Sequence, residues 1–419
     1  MAWKISSSPL LSKLWIAPGN PGTALHGENV PVAAADVAAV VRFAKDNAVD
    51  LVVVGPEDPL VAGVVDALAA EGIAAFGPRQ DAAELEGSKA WCKEVLVRHR
   101  VPTGDYRAFT SLNQAQSYLD RGARFPLVVK ASGLAAGKGV VICGDAVEAR
   151  AAVRDMLEGG RFGSAGSTVL LEEFLDGPEA SAFALTDGRT LLPLETCQDH
   201  KALLDGGEGP NTGGMGAVCP NPEISERMRE IVERQVLLPT LHGLNREGRR
   251  FHGVLFAGLK LTTGGPKVLE YNARFGDPEC QVLMLRFASD LVPYLDACAR
   301  GTLDALEAPE WDSRPACTVV LVSEGYPGAY EKGRPIDGVD GFEGSDDLQV
   351  FQAGTARDAE GRLVTAGGRV LAVTALGEDH AEARARAYAA VEKIAFEGCT
   401  MRSDIGAAAV AVEAHERVR

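Results

Sequence analysis

Between residues 13 and 78 the chain alternates short apolar, β-branched runs with stretches whose apolar residues recur at helical spacing. "KLWIA" (13–17), "DLVVVG" (50–55) and "IAAFGP" (73–78) are the strand candidates, and "DVAAVVRFAKDNA" (36–48) and "PLVAGVVDALAAEG" (59–72) are helices between them. Such alternation predicts a parallel sheet covered by helices on both faces, with ligands at the carboxyl ends of the strands. The turns "APGN" (17–20), "GPEDP" (55–59) and "GPRQ" (77–80) fall at those ends. A helix over 81–100 stops before Val101-Pro102, because the residue before a proline disfavours helical backbone. Strands at 126–130 and 139–143 flank a glycine-rich loop, a helix covers 145–160, and strands follow at 167–175 and 179–188. Residues 196–220 are polar and glycine-rich, which predicts a lid or substrate loop rather than a core element. A long helix over about 223–247 leads into a hairpin at 253–276. The C-terminal part changes character: strands at 315–328, 348–355 and 369–377 and an amphipathic helix at 379–396 predict a smaller α+β domain. The fold class is therefore α/β and α+β, in several domains.

Length supports the division, since 419 residues exceed what one core organises. The net charge of −16 argues against a nucleic-acid partner, which needs a basic surface. It leaves room for small phosphorylated ligands, which a few local lysines and a metal ion can hold. The longest apolar candidate, 59–76, is broken by Asp66 and Glu71, so no membrane span is expected. The N-terminal residues lack a continuous apolar segment, so no signal peptide is expected. Eight cysteines without a C-x-x-C predict free thiols in a reducing compartment, with the cytoplasm as the expected location.

The candidate chemistry begins with "VVKASGLAAGKGVV" (128–141). It is not a P-loop: Gly133 lies one residue too close to Gly137, and Gly139 stands where a hydroxyl residue is required after Lys138. In "VLEYNARFGDPE" (268–279), Glu270 and Asn272 share one face of a strand and offer the hard oxygens that suit Mg²⁺ or Mn²⁺ on phosphates. Arg274, four residues after Glu270, continues the same face and could stabilise charge on a transferring phosphoryl group. Lys130 ends the apolar run "FPLVV", so its head is expected to emerge at the mouth of a sheet, and with Lys89 and Lys138, also near glycines, it could neutralise a triphosphate, although a surface lysine is the commoner case for each alone. "LLEEFLDGPEAS" (170–181), with Glu172, Glu173, Phe174, Leu175 and Glu179, has the form of a hinge that could offer backbone N–H and C=O groups to an adenine ring and a carboxylate to ribose hydroxyls; a strand end with solvated acids explains it at least as well. No Ser-His-Asp triad, Cys-His pair or His/Cys metal cluster is visible.

In order and spacing these pieces resemble the ATP-grasp ligases, and within them the phosphoribosylamine–glycine ligase (glycinamide ribonucleotide synthetase) family of purine synthesis. "LEGSKAW" (85–91), "KASGLAAGKGVV" (130–141), "GPNTGGMGA" (209–217) and "EYNARFGDPE" (270–279) carry the resemblance, which covers nearly the whole chain. It implies an N-terminal parallel α/β domain at 1–86, an ATP-grasp domain at 87–310 with a nucleotide subdomain at about 103–176, and a C-terminal α+β domain at 311–419. It implies ATP held by Lys89, Lys130, Gly137, Lys138, Gly139, Glu172 to Leu175 and Glu179, and one or two Mg²⁺ or Mn²⁺ ions on Glu270 and Asn272. Arg274 and Lys138 become the catalytic candidates. Asp199, His200, Lys201, Asn211, Thr212, Gly213 and Met215 would line the acceptor side, with Gly19, Asn20, Glu57, Arg274 and Asp277 as further substrate-binding candidates. The implied partners are small molecules alone, namely glycine, 5-phosphoribosylamine and ATP, and the expected state is a monomer without nucleic acid or membrane.

The sequence departs from the family at its start. Members open with an apolar strand and a glycine-rich turn before a helix that continues into "AWK", whereas here Met1-Ala2-Trp3-Lys4 already lie inside that helix. The expectation is an N-terminal sheet with an unpaired edge and without the turn that holds the ribosylamine phosphate. Val218 and Cys219 stand where the family has Tyr and Ser. Two alternatives therefore accompany a working ligase: an ATP-binding protein with an impaired acceptor site, and an ATP-grasp ligase for another amine. Intact Glu270, Asn272 and Arg274 favour an enzyme, and "GPNTGGMGA" favours the purine ligase.

Overall fold

Three of the expected helices are interrupted. The computed structural model describes residues 1–419 apart from 136–138, 161–162, 343–344 and 418–419. The helix expected at 59–72 is two, Glu57–Val61 and Val64–Ala70, because Gly63 between them takes a φ of +85° that only glycine adopts readily. The helix expected at 81–100 is also two, Gln80–Gly87 and Lys89–Arg98. Ser88 between them is extended, and its hydroxyl accepts the Trp91 N–H as the cap of the second. The long helix at 223–247 carries a π-helical turn, Glu233–Leu237, between Glu226–Val232 and Leu238–Arg246.

The chain forms two compact units: Met1–Leu51, Leu194–Ser225 and Phe275–Arg419 make one, and Val52–Pro193 and Glu226–Arg274 make the other. The strands of the N-terminal stretch pair in two separate ladders. Trp15–Ile16 runs parallel to Glu28–Asn29, and a short strand ending at Val53 pairs with Ala74–Phe76.

The unit beginning at Val52 contains two four-stranded sheets. In one, Tyr106–Phe109, Val169–Glu173, Leu127–Ala131 and Val140–Cys143 lie side by side and antiparallel. The helices Leu112–Asp120 and Ala146–Glu158 cover it, and Leu119, Val129, Val153, Met156 and Leu171 form the core between. Asp145 caps the second helix through the N–H groups of Val147 and Glu148. The other sheet is ordered Leu191–Pro193, Glu179–Thr186, Gly253–Thr262 and Gly265–Asn272, with a bulge between Gly258 and Leu259 opposite Glu270.

The unit containing the N-terminus is built on a six-stranded sheet. Its central strands, Ala316–Ser323 and Arg369–Leu376, are buried along almost their whole length beneath the helix His380–Val391. Gly216–Cys219 pairs with Ala316–Ser323, and Gln198–Asp199 pairs outside it. Within 196–220, expected as a lid or substrate loop rather than a core element, residues 204–211 are an exposed loop, but Met215, Ala217, Val218 and Cys219 are buried core residues, which corrects the expectation for that end. The strand carries Gly216 where a side chain would run into the Thr318 carbonyl and Ile405, so the glycine that suggested a loop is a packing requirement.

Candidate active site

Lys130 closes the strand Leu127–Ala131, and its ammonium does not emerge into open solvent: the residue is 5% exposed. Its Nζ lies 2.9 Å from Glu172 Oε2 on the neighbouring strand and donates to the Leu269 carbonyl at 3.3 Å. A second lysine, absent from the sequence-derived candidates, completes the arrangement. Lys93 Nζ lies 3.0 Å from the same Glu172 oxygen and donates to Thr103 Oγ1 at 2.8 Å. Two cations thus flank one buried carboxylate, a local excess of positive charge in a protein of net charge −16. Burial would raise the Glu172 carboxyl, but the ammonium groups of Lys130 and Lys93 outweigh it and hold it below the usual carboxylate range. Burial pushes Lys93 below its ordinary value. Glu172 Oε1 is buried without a hydrogen-bond partner, an unsatisfied acceptor at the start of the hinge.

The rest of the predicted nucleotide set is dispersed around this cluster. Lys89 opens its helix, donates through Nζ to the Gly133 carbonyl at 3.2 Å, and docks its N–H on Ser132 O. Gly139 returns the loop to the sheet by accepting the Ala131 N–H, and a side chain there would collide with Ala135. Gly137 and Lys138 lie outside the described residues. Glu173 is exposed; the Asp105 N–H and Lys267 hold its carboxyl below the usual range. Phe174 is half-buried, Leu175 is buried, and Glu179 faces Lys260 at 3.4 Å.

Glu270 and Asn272 occupy one face of the strand Gly265–Asn272, opposite Gly258 and Phe256, and both are half-buried. The strand ends at Asn272, so Arg274 is not its continuation, as strand spacing suggested, but the start of the following turn. There its Nε donates to Glu57 Oε2 at 3.1 Å and its Nη2 lies 3.0 Å from Glu86 Oε1. Glu86 also accepts the Ala273 N–H at 2.7 Å. Burial, opposed by Arg274 and by the Ala273 N–H and reinforced by Glu57 and Glu270, raises the Glu86 carboxyl to about 7. Three carboxylates therefore crowd this corner. A carboxylate and an amide oxygen on one face, amid excess negative charge, fit a hard divalent cation whose remaining ligands come from phosphates and water. Among the described residues no group of three or more His, Cys, Asp or Glu is placed to hold a metal ion.

The predicted acceptor-side residues, apart from Glu57 and Arg274, belong to the other unit. The pairing of Gln198–Asp199 with Gly216–Cys219 brings 199–201 beside 211–216. Thr212 bonds the Lys201 carbonyl through both N–H and hydroxyl, Asn211 bridges Ala202, and Arg369 joins the Gly213 carbonyl to Asp277 at 2.7 and 2.8 Å. His200 uses Nδ1 toward the Gly216 carbonyl, and burial followed by the charge of Arg402 lowers it to about 4, so it is a neutral imidazole rather than a cation for phosphate. Three candidates are corrected. Met215 is 1% exposed, and its side chain is packed in the hydrophobic core. The Asn20 amide is engaged with the Gln352 and Ala353 carbonyls and with Thr23, and Gly19 (φ +76°) lies against Asn29, so this turn is held by structural contacts. None of the eight cysteines is joined in a disulfide.

Sequence reasoning missed Lys93 and Glu86. Lys93 did leave a trace: it stands one helical turn after Lys89, a like-charge spacing that is unfavourable unless an anion lies between the turns or beneath them.

The two-sheet fold with lysines and a carboxylate–amide pair on one unit is that of the ATP-grasp ligases. The biotin carboxylase domain of the 2-oxoglutarate carboxylase from Hydrogenobacter thermophilus shares the fold, with a TM-score of 0.75 at 16% identity over 95% of this chain and 89% of that one. Family profiles for phosphoribosylglycinamide synthetase match here in three parts: the N domain at residues 1–86, the ATP-grasp (A) domain at 87–280 and the C domain at 316–408. The chain belongs to the phosphoribosylglycinamide synthetase family, ATP-grasp ligases that use ATP and a divalent metal. The phosphoribosylamine–glycine ligase of Agrobacterium fabrum is 52% identical over 413 residues, 99% of this chain and 96% of that protein. That of Vibrio cholerae is 49% identical over 417 residues, again 99% and 96%. A crystal structure of the phosphoribosylamine–glycine ligase from Thermotoga maritima superposes with a TM-score of 0.82 at 32% identity, covering 96% of both chains.

Proposed function

We propose that this chain joins glycine to 5-phosphoribosylamine using ATP, giving glycinamide ribonucleotide, ADP and phosphate in purine biosynthesis. The observation that carries the reading is the presence, in one compact unit, of the Lys93–Glu172–Lys130 cluster and the Glu270–Asn272–Arg274 corner. A glycine carboxylate oxygen attacks the γ-phosphorus, the bond to the bridging oxygen breaks, and ADP leaves behind glycyl phosphate. The ribosylamine nitrogen then attacks the glycyl carbonyl carbon and loses a proton, while the bond to phosphate breaks. No bond to the protein forms, so the rate rests on positioning and on fixed charge.

In this assignment Lys89 and Lys130, with Lys138 and the Gly137–Gly139 loop, carry the phosphates. The 6-amino group of adenine is the donor that buried Glu172 Oε1 lacks, Phe174 and Leu175 flank the base, and Glu179 meets the ribose. Glu270 and Asn272 would hold magnesium or manganese, which when bound neutralises phosphate charge. Arg274 faces the developing charge or the glycine carboxylate. Asp199, His200, Lys201, Asn211 to Gly213 and Asp277 form the acceptor side. We place domain boundaries at 86 and 310, and read the protein as a cytoplasmic monomer; no helix among the described residues is long and apolar enough to cross a membrane.

The test measures ADP release with glycine, with and without phosphoribosylamine. Stoichiometric ADP and phosphate that require both substrates is the expected result, and turnover indifferent to phosphoribosylamine would overturn the acceptor. The metal assignment has its own check: Glu270→Ala should lose essentially all metal-dependent turnover while keeping the parental circular dichroism spectrum, and retained activity would remove it.

A further inference from the structure

The functional set above ends at Arg274 and leaves unstated what holds that side chain. We infer that Glu86 is a positioning residue for the reaction, holding Arg274 in a single orientation while the Ala273 N–H fixes the carboxylate itself in place. The inference rests on the assignment of Arg274 to the site.

Three observations carry it. Glu86 is only 8% exposed, and a glutamate is almost never so buried without dedicated partners. Those partners are the functional corner itself: Oε1 lies 3.0 Å from Arg274 Nη2, and Oε2 accepts the buried Ala273 N–H at 2.7 Å. One carboxylate thus fixes two consecutive residues after Asn272. With Glu57 on Nε, the plane of the guanidinium is set from two sides, which is how a planar fork is made specific.

The second observation is connectivity. Glu86 lies in the last turn of Gln80–Gly87, and Ser88 then turns the chain into the helix that starts at Lys89. Lys89 contacts the Gly133 carbonyl, so one short segment registers both the phosphate-side lysine and the Arg274 corner.

The third is energetic. Burial and the neighbouring carboxylates of Glu57 and Glu270 disfavour a charge at this place, so global stability alone does not explain a glutamate here. Both of its oxygens are engaged, one by Arg274 and one by the Ala273 N–H, which is the geometry of an orienting contact.

The experiment is a cycle of Glu86→Gln, Arg274→Ala and the double variant, with Glu86→Asp and Glu86→Ala alongside. Glu86→Gln should lower kcat about a hundredfold while the KM for ATP stays within about threefold. Glu86→Asp should recover at least about tenfold over Glu86→Ala. Most tellingly, the double variant should be no slower than Arg274→Ala alone, because the clamp acts through that arginine. ATP binding measured on each variant separates a folded, misoriented site from an unfolded one. Parental kcat in Glu86→Gln, or losses that add in the double variant, overturn the clamp. Parental turnover in Arg274→Ala is a distinct outcome: it overturns the assignment of Arg274 itself and the clamp with it.

Discussion

Glu172 shows how charge decides a site at the residue scale. Its carboxylate is shared by Lys93 and Lys130, all three nearly inaccessible to water. Removing the anion leaves two buried ammonium groups facing each other, whereas removing Lys93 leaves Glu172 still paired with Lys130. Glu172→Gln should therefore cost about 3–5 kcal/mol of stability, and Lys93→Met distinctly less. Urea unfolding midpoints check the order, and equal losses would mean that the carboxylate is not the hub. His200 gives the pH counterpart. Its folded pKa of about 4 lies below the ordinary 6.5, so the unfolded chain takes up the proton first. The contribution of His200 is complete above about pH 6.5 and is lost progressively as pH falls toward 4. A thermal midpoint followed over that window should decline in the parent and decline less in His200→Asn, which keeps a donor for the Gly216 carbonyl.

At the scale of elements, short connectors place the chemistry. Ser88 interrupts one predicted helix and caps the next, and the first residue of that helix is Lys89. Ser88→Ala should remove about 1 kcal/mol of stability and raise the KM for ATP with little change in kcat, since it disturbs a ground-state phosphate contact. An unchanged KM would separate the cap from the site. Such breaks explain what was legible beforehand. The strand bearing Glu270 and Asn272, the glycine-rich loop and most helix spans were visible because period and turn residues are local properties. The core strand inside 196–220 was missed because Gly216–Cys219 is only four residues long, and a strand so short carries no period. Glu86 and Lys93 were missed because their partners, Arg274 and Glu172, are remote in sequence, and nothing local marks a buried charge that is paired. Lys130 was found for its position but misjudged in exposure for the same reason.

At the scale of the molecule, 42 basic residues stand against 58 acidic ones, yet ATP, glycine and the ribosylamine phosphate all present anionic groups. Long-range attraction cannot recruit them, so binding must depend on charges fixed within a few ångströms, where screening by salt is weak. The groups proposed for the nucleotide, from Lys89 through Lys130 and Glu172 to Asn272, all belong to the unit made of Val52–Pro193 and Glu226–Arg274. The six-stranded sheet of the other unit contributes none of them. Nucleotide binding should therefore slow amide exchange unevenly. At about a hundred times Kd, ligation favours the bound state by about 2.7 kcal/mol, enough to slow exchange through coupled local openings by about two orders of magnitude. Hydrogen–deuterium exchange with metal and a non-hydrolysable ATP analogue should protect peptides covering 127–143, 169–179 and 265–274. The strands Ala316–Ser323 and Arg369–Leu376 should exchange as they do without ligand. Equal protection of those two strands would place the nucleotide, or its stabilising effect, beyond the unit that holds the lysines.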